Sequence, residues 1–394
     1  MKKLRILFSL NRFYPEVGGA ETNLYFQANT LAESHDVTIF TPKRTADPTN
    51  QQLNNYHVKR FFDLLNPFNK YPNLKVKTLC PGMFFSVLFG KRFDVVMCFP
   101  AVSYNNRLVM IAAKIRKIPI VLCFFDLIDY SSVIAEQGTI SPSILNTYEV
   151  PKKEIPFIRM ADHIYAISNR EIDVLKKINP NVSYSPVPIM LSEYEDAVAN
   201  PRVRYGIAEQ DFVFLSLGRI SAIKGQEIAL NSFIEVAKRH SQAKLVFVGR
   251  DDFEPEIANR MKQTIARAGL ESNVLFTGVL ERHEVLGWLR YSDVHVIPVR
   301  FMNSGAVVVE SWASNTPVIQ SDAVDPNLVQ DGINGYLFES ENIEQLSKKM
   351  DQAIQEREQL QTMAEHGNQL VRARYTYEYL ISLYENQFSE LEIS

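Results

Sequence analysis

The sequence predicts an α/β protein made of two doubly wound, Rossmann-like domains. Its 394 residues exceed what a single core usually holds. Short apolar runs alternate with helical patterns in two successive series, which is typical of parallel sheets covered on both faces. A stretch at 184–189 separates the two series, because Pro186 and Pro188 cannot continue a helix. We therefore expect an N-terminal domain at 1–190, a second domain at 191–374 and a terminal helix at 375–394.

Composition narrows the class of protein. With 46% hydrophobic and 22% charged residues the chain is globular, and its net charge of -3 gives no reason to expect nucleic acid as a partner. The three cysteines form no C-x-x-C pair, and no apolar run approaches a membrane span or a secretory leader, which predicts a cytoplasmic protein. The histidines lack metal-ligand spacing, so no metal site is predicted.

The first series opens with an apolar strand at 3–10, a loop that ends in Gly18 and Gly19, and a helix through Ala32. The two glycines would let the backbone approach a ligand and leave N–H groups free at the helix start, although an ordinary helix-entry turn has the same pattern. Further strands of this series are expected at 36–40, 75–79, 94–99, 120–125 and 163–167.

Two segments between these strands, at 58–65 and 84–92, mix aromatic with basic residues. Two interpretations fit this pattern. One is an amphipathic helix packed on the sheet, and the other is a peripheral contact with the inner face of a membrane.

The second series predicts strands at 212–217, 244–248, 273–276, 293–297 and 317–320, with a helix at 227–240. The last segment, 377–393, carries apolar and aromatic residues at helical spacing. A helix with that much apolar surface must pack against the rest of the protein.

The strand at 212–217 leads into a basic turn. Gly218 and Arg219 follow the strand, and a helix restarts at Lys224 and Gly225. An arginine fork and a lysine point charge at a helix N-terminus suit a phosphate, although the spacing also fits an ordinary surface turn.

Other loops should meet this turn, because doubly wound sheets bind ligands at the carboxyl ends of their strands. Glu310 is the most informative residue among them, since a carboxylate in an apolar helix needs either hydroxyl groups, such as a ribose diol, or a nearby cation. The start of its helix would present backbone donors, with Asn303 or Ser304 as the N-cap. The loops expected at the site hold Gly18, Gly19, Phe125, Asp126, Gly249, Arg250 and residues 301–305.

Taken together, these residues resemble the family-four retaining glycosyltransferases of the GT-B fold over nearly the full length of the chain. The resemblance implies two domains that face one another across a cleft, with a terminal helix that crosses back to the N-terminal domain. It also implies transfer of a sugar from a nucleotide-diphosphate-sugar to a glycan, a lipid-linked or a protein acceptor. The segments that carry it are 15–21, 161–168, 218–219, 224–225, 292–298, Glu310, 316–319 and 331–335.

The resemblance implies roles for individual residues. Arg219 and Lys224 would hold the donor pyrophosphate, and Glu310 would hold the nucleotide ribose. Cations fixed at the leaving phosphates stabilise the charge that develops in the transition state, so neither a metal nor a cofactor is required. The full donor-binding set is Gly18, Gly19, Arg219, Lys224, Arg250, Val279, Ser304, Gly305, Ala306 and Glu310, with Val279 near the base.

Two positions depart from the family pattern. Met302 stands where the family usually has a glutamate that contacts the donor sugar, and Phe125 replaces the histidine of a His-Asp pair. Asp126 and Asp129 are the expected polar groups on the acceptor side. Three interpretations follow: a transferase with altered sugar contacts, a non-catalytic GT-B protein that binds a nucleotide or a partner transferase, and a sugar-nucleotide epimerase. The pattern defines neither the sugar, the base, the acceptor nor the oligomeric state.

Overall fold

The computed structural model describes residues 2–15, 19–44, 47–66, 78–99, 103–124, 150–300, 305–325 and 328–391. These residues form two compact units. The first contains residues up to 124, residues 150–188 and residues 377–391, and the second contains residues 189–376. Both units are α/β, as the two series of strands predict.

The first unit is built on a sheet of eight described strands in the order β3-β4-β2-β1-β5-β6-β7-β8, parallel except for the β3-β4 pair. The predicted strands β1, β2, β5, β6 and β7 are confirmed, and all five are buried along most of their length. The elements are β1 (Arg5–Leu10), α1 (Gly19–Leu31), β2 (Asp36–Pro42), β3 (Asn50–Leu53), β4 (Tyr56–Phe61), α2 (Pro81–Phe89), β5 (Val95–Phe99), α3 (Tyr104–Ile115), β6 (Ile120–Cys123), α4 (Ile155–Met160), β7 (His163–Ala166), α5 (Asn169–Lys176) and β8 (Val182–Tyr184).

One of the two aromatic and basic segments is not helical, so the expectation of an amphipathic helix at 58–65 is wrong. Residues Tyr56–Phe61 form β4, which pairs in parallel with β2. Tyr56, Val58 and Arg60 are buried at alternate positions, and the buried guanidinium of Arg60 lies 3.4 Å from the carboxylate of Asp47. The second segment does contain the expected helix, α2. Of the predicted strand at 75–79, residues 75–77 lie outside the described part, and Thr78 and Leu79 are not in a strand.

The second unit holds an all-parallel sheet whose described strands run in the order β11-β10-β9-β12-β13-β14. All five predicted strands are confirmed within one or two residues, and β14 is additional. The elements are α6 (Leu191–Glu195), α7 (Pro201–Arg204), β9 (Phe212–Leu217), α8 (Gln226–Arg239), β10 (Ala243–Val248), α9 (Pro255–Ala268), β11 (Val274–Phe276), α10 (Arg282–Tyr291), β12 (Val294–Ile297), α11 (Ala306–Ala313), β13 (Val318–Ser321), β14 (Tyr336–Phe338), α12 (Ile343–Gln355) and α13 (Arg357–Arg374).

The last helix, α14 (Tyr377–Glu390), belongs to the first unit although it follows the second unit in sequence. Its side chains Leu380, Ile381, Tyr384 and Phe388 are buried in the same core as α1. The Tyr384 hydroxyl donates to Oε1 of Gln27 at 3.1 Å. The predicted return of the terminal helix to the first domain is therefore confirmed. In the described part of the chain, every helix is too short or too polar to span a bilayer.

Candidate functional site

The carboxyl ends of β9 and β12 mark the point where strand order reverses in the second sheet. β10 and β11 extend the sheet on one side of β9, whereas β12 to β14 extend it on the other. Ligands of open α/β sheets bind outside the strand ends at such a reversal. Arg219, Arg250 and Val279 each lie two or three residues past the end of β9, β10 or β11, so the loops that carry these predicted residues start from this edge.

The basic turn after β9 is held by the first residue of the next helix. Gln226 Nε2 donates to the carbonyl oxygen of Arg219 at 3.0 Å. Residues Ala222–Lys224 form a 3₁₀ turn, and the Lys224 side chain folds back over Gly218, where an added methyl group would lie 3.8 Å from Lys224 Cε. The structure therefore brings Arg219 and Lys224 to the same turn.

The two cations of this turn have no acidic partner among the residues that the structure describes. The guanidinium of Arg219 is exposed and lies 4.3 Å from the centroid of the Phe253 ring. Lys224 is partly buried, and burial, followed by the positive charge of Arg219, lowers its pKa. Within the described ranges neither side chain forms an ion pair. Two neighbouring cations at a helix start, both unneutralised, are suited to a multivalent anion.

A neutral histidine lies behind Lys224. His295 Nε2 accepts from the Leu217 amide at 3.2 Å, so Nδ1 carries the proton and donates to Ser311 Oγ at 2.7 Å. Ser311 in turn donates to the Val307 carbonyl at 2.7 Å. Burial, helped by the charge of Lys224, lowers the pKa of His295 to about 3. This chain of hydrogen bonds ties the end of β9 to α11 without adding charge to the site.

Two glycines allow the loops to touch backbone to backbone. Gly225 has φ +68°, and a Cβ there would lie 1.9 Å from the Pro298 carbonyl oxygen after β12. Gly249 has φ +143°, and its Cβ would lie 2.3 Å from the Gly218 carbonyl oxygen. No other residue fits either position without displacing a neighbouring backbone. The turns after β9, β10 and β12 are consequently fixed against one another.

Glu310 on α11 is held by a cation and a phenol. Its Oε1 accepts from the Tyr194 hydroxyl at 2.9 Å and lies 3.0 Å from Nη2 of Arg282. Arg282 Nη2 also donates to the Tyr194 hydroxyl at 2.6 Å and lies 3.2 Å from Glu193. Of the two partners that the sequence left open, the structure supplies the cation. Oε2 of Glu310 has no hydrogen-bond partner among the residues that the structure describes.

The charges of this cluster reinforce one another. Burial and the Glu310 carboxylate raise the pKa of Tyr194, so its hydroxyl stays protonated and donates. Burial opposes the charge on Arg282, yet Glu310 and Tyr194 outweigh it and raise the pKa of the guanidinium. Glu310 therefore keeps a fixed orientation with one oxygen engaged.

Sequence reasoning missed Tyr194, Arg282 and His295. Tyr194 and Arg282 lie 116 and 28 positions before Glu310 in the chain, and no local pattern connects them. The sequence signal that pointed toward Tyr194 and Arg282 was that the Glu310 carboxylate requires a hydroxyl group or a cation as its partner.

Some of the remaining predicted site residues lie in the described part of the chain, and the others lie outside it. Arg250 is exposed and pairs with Asp252 at 2.8 Å rather than with the turn after β9. Val279 is exposed on the surface after β11. Gly305 is the N-cap of α11 and Ala306 is its first residue, so the expectation of Asn303 or Ser304 as the N-cap is wrong. The N-cap position has φ +58°, a left-handed backbone that glycine adopts without strain. Gly19 begins α1. Gly18, Phe125, Asp126, Asp129, Met302, Asn303 and Ser304 lie outside the described residues, so the ligand contacts predicted for them stay predictions.

Solved structures resemble this chain over nearly its whole length. HepE from Anabaena in complex with UDP superposes with a TM-score of 0.73 at 19% identity, covering 98% of this chain and 100% of that one. Sucrose-phosphate synthase from Thermosynechococcus elongatus superposes with a TM-score of 0.72 at 18% identity, covering 99% of each chain. At these identities the likeness concerns the fold, which is that of the GT-B glycosyltransferases.

Family models and curated relatives agree with the fold. Residues 199–370 match the model for glycosyl transferases group 1, and residues 17–187 match the model for Glycosyltransferase Family 4. The α-monoglucosyldiacylglycerol synthase of Streptococcus pneumoniae is 24% identical over 351 residues, which is 86% of this chain and 76% of that protein. The α-D-kanosaminyltransferase of Streptomyces kanamyceticus is 25% identical over 179 residues, 45% of each. The chain belongs to the family-four glycosyltransferases, enzymes that use nucleotide sugars.

Proposed function

We propose that this glycosyltransferase holds the pyrophosphate of its nucleotide-sugar donor between Arg219 and Lys224. The observation that carries the proposal is the pair of cations at the reversal of strand order, neither of them paired with an acidic side chain in the described chain. The solved structure of HepE contains UDP, which supports a nucleoside diphosphate as the ligand of such a site.

Glu310 is proposed as the residue that binds the nucleotide ribose. Arg282 and Tyr194 engage Oε1 of its carboxylate, which leaves Oε2 to accept a hydroxyl group. A fixed carboxylate with one available oxygen binds a diol at a lower entropic cost than a mobile one. Arg282 and Tyr194 act here as positioning residues.

The reaction that we propose proceeds with retention at the sugar. The bond between the anomeric carbon and the phosphate oxygen breaks, and a bond to the acceptor oxygen forms on the same face. The leaving phosphate accepts the proton of the acceptor hydroxyl. Negative charge grows on the diphosphate in this step, so Arg219 and Lys224 bind the transition state more strongly than the substrate, and the proposal assigns no metal.

The acceptor is proposed to be a glycan, a lipid-linked or a protein acceptor, with Asp126 and Asp129 on its side of the site. A lipid-linked acceptor has support from the Streptococcus pneumoniae relative, whose name specifies the synthesis of a glucosylated lipid, monoglucosyldiacylglycerol. The free, buried thiols of Cys80, Cys98 and Cys123 suit a reducing compartment. We therefore propose a cytoplasmic enzyme, which a lipid-linked acceptor would bring to the inner face of a membrane.

A turnover assay tests the role of the two cations. The protein is incubated with UDP-, GDP-, ADP- and dTDP-sugars and an extract of lipids and glycans, and release of nucleoside diphosphate is measured. Replacing Arg219 or Lys224 by methionine is expected to lower turnover about 10²- to 10³-fold, as loss of one donor to a developing oxyanion does. Arg267→Met, an exposed arginine near the end of α9, serves as the matched control. Full turnover in either site variant would contradict the proposal.

A further inference from the structure

Two helices of the first unit, α2 and α3, end side by side. Nη1 of Arg116 donates to the carbonyl oxygens of Val87 and Gly90 at 2.9 Å each, which caps the end of α2 from the end of α3. Nη2 of Arg92 donates to the Lys117 carbonyl at 3.3 Å. The last turns of both helices therefore form one continuous piece of surface.

Large apolar side chains are exposed on this surface. Phe85 and Phe89, one turn apart on α2, are 55% and 77% exposed, and their rings stack with centroids 6.3 Å apart. Ile111 and Ile115, one turn apart on α3, are 37% and 60% exposed. Single exposed apolar residues are normal on proteins, but pairs on two adjoining helices are typical of a binding surface.

A second group of exposed apolar residues lies near the start of α2. Phe62, Leu64 and Leu65, which follow β4, are each more than half exposed. The Leu64 amide donates to the Leu79 carbonyl at 2.9 Å, which holds this segment beside the start of the helix. Exposed apolar residues thus lie near both ends of α2.

Basic residues surround the helix ends. Between positions 85 and 117 the sequence holds six basic residues and one acidic residue, a net charge of +5 in a chain whose net charge is -3. Lys91, Arg92, Lys114 and Lys117 are exposed. Two nearby carboxylates accept from backbone amides: Asp94 from Arg5 at 2.7 Å and Asp162 from Ile120 at 2.8 Å. None of the four exposed cations forms an ion pair with another described residue, so basic groups outnumber acidic groups on this surface.

We propose that this surface docks the enzyme on an anionic lipid bilayer. We name it the α2–α3 surface, comprising Phe85, Phe89, Ile111 and Ile115 with the cations Lys91, Arg92, Lys114 and Lys117. Aromatic and branched side chains ringed by basic residues match the boundary between acyl chains and anionic headgroups, whereas an acidic protein partner would leave the phenylalanines without a matching environment. The inference rests on the proposed function in one respect only: docking would give the enzyme access to a lipid-linked acceptor.

Sedimentation with vesicles tests the proposal on the full chain. Vesicles of phosphatidylcholine with phosphatidylglycerol are compared with vesicles of phosphatidylcholine alone. The protein is expected to bind the anionic vesicles at least about tenfold more tightly, and added salt should weaken that binding. Phe85→Ser with Phe89→Ser should lower binding at least about tenfold, and Lys91→Gln with Lys117→Gln about fivefold per charge removed.

Matched controls come from exposed residues of the second unit. Val203→Ser, at a site 82% exposed, and Lys238→Gln with Lys348→Gln should leave vesicle binding unchanged. Surface variants that bind vesicles as tightly as the unchanged protein, or equal binding to neutral vesicles, would overturn the proposal. A dimer that the Phe85→Ser, Phe89→Ser variant abolishes would overturn it as well, because the surface would then face a second copy. Nucleoside diphosphate binding, measured on the same variants, reports separately on the proposed donor site and should be unchanged.

Discussion

Lys224 is the residue of the proposed donor site whose protonation depends most on its surroundings. It is partly buried, it lies beside the cation Arg219, and its pKa is lowered by burial and by that neighbouring charge. The two or more negative charges of a bound diphosphate would outweigh both effects and raise the pKa of Lys224. Ligand binding and protonation of Lys224 should therefore be thermodynamically linked.

This linkage predicts an alkaline loss of nucleotide affinity. The pKa of Lys224 in the free protein lies below its ordinary value of 10.5, and a bound anion raises it. Affinity is then constant below the lowered pKa and falls as pH rises through it, because the uncharged amine binds the diphosphate poorly. Titration calorimetry with a nucleoside diphosphate between about pH 7 and pH 10 measures the effect. Lys224→Arg should bind with no fall in this range, since arginine stays charged, and identical pH profiles for the two proteins would contradict the linkage.

At the scale of elements, the strands of the second sheet could be predicted because they are short, continuous apolar runs buried on both faces. β4 could not, because Lys59 and Arg60 give its sequence the appearance of an amphipathic helix. The buried Arg60 is tolerated because Asp47, Gln51 and the Tyr14 carbonyl, which lie elsewhere in the chain, accept from or pair with its guanidinium. Likewise, the basic turn could be predicted from local spacing, whereas Tyr194 and Arg282 reach Glu310 only through the folded arrangement of α6, α10 and α11.

The contact between the β9 and β12 loops yields a stability prediction. Gly225→Ala should destabilise the second unit because its Cβ would meet the Pro298 carbonyl oxygen at 1.9 Å. Gly269→Ala is a close control, since Gly269 has nearly the same φ, +67° against +68°, but nothing within 4 Å of the added Cβ. We expect the control to lower the free energy of unfolding by about 1 kcal/mol, and Gly225→Ala to lower it by about 1–3 kcal/mol more.

Urea unfolding followed by tryptophan fluorescence measures this difference. Both tryptophans of the chain, Trp288 and Trp312, are fully buried in the second unit, so the signal reports on that unit alone. Equal unfolding free energies for the two alanine variants would show that the β9 and β12 loops are not in close contact.

At the scale of the whole molecule, the described chain enters the second unit at Ile189 and returns to the first at Tyr377. Arg219, Lys224, Arg282 and Glu310, the described residues of the proposed donor site, all belong to the second unit. The proposal therefore makes nucleotide binding depend mainly on the loops of that unit. The contributions predicted for Gly18, Asp126 and Asp129 belong to positions outside the described residues, so they stay predictions. Of the α2–α3 surface, only the segment 84–92 was singled out from the sequence, and a membrane contact was one of its two interpretations.

A crystal structure with a bound nucleoside diphosphate tests the central claim most directly. We expect the guanidinium of Arg219 and Nζ of Lys224 both to lie within hydrogen-bonding distance of the diphosphate oxygens, and Glu310 Oε2 to accept from a ribose hydroxyl. A diphosphate bound elsewhere, or one that contacts neither cation while Arg219 and Lys224 point into separate spaces, would contradict it.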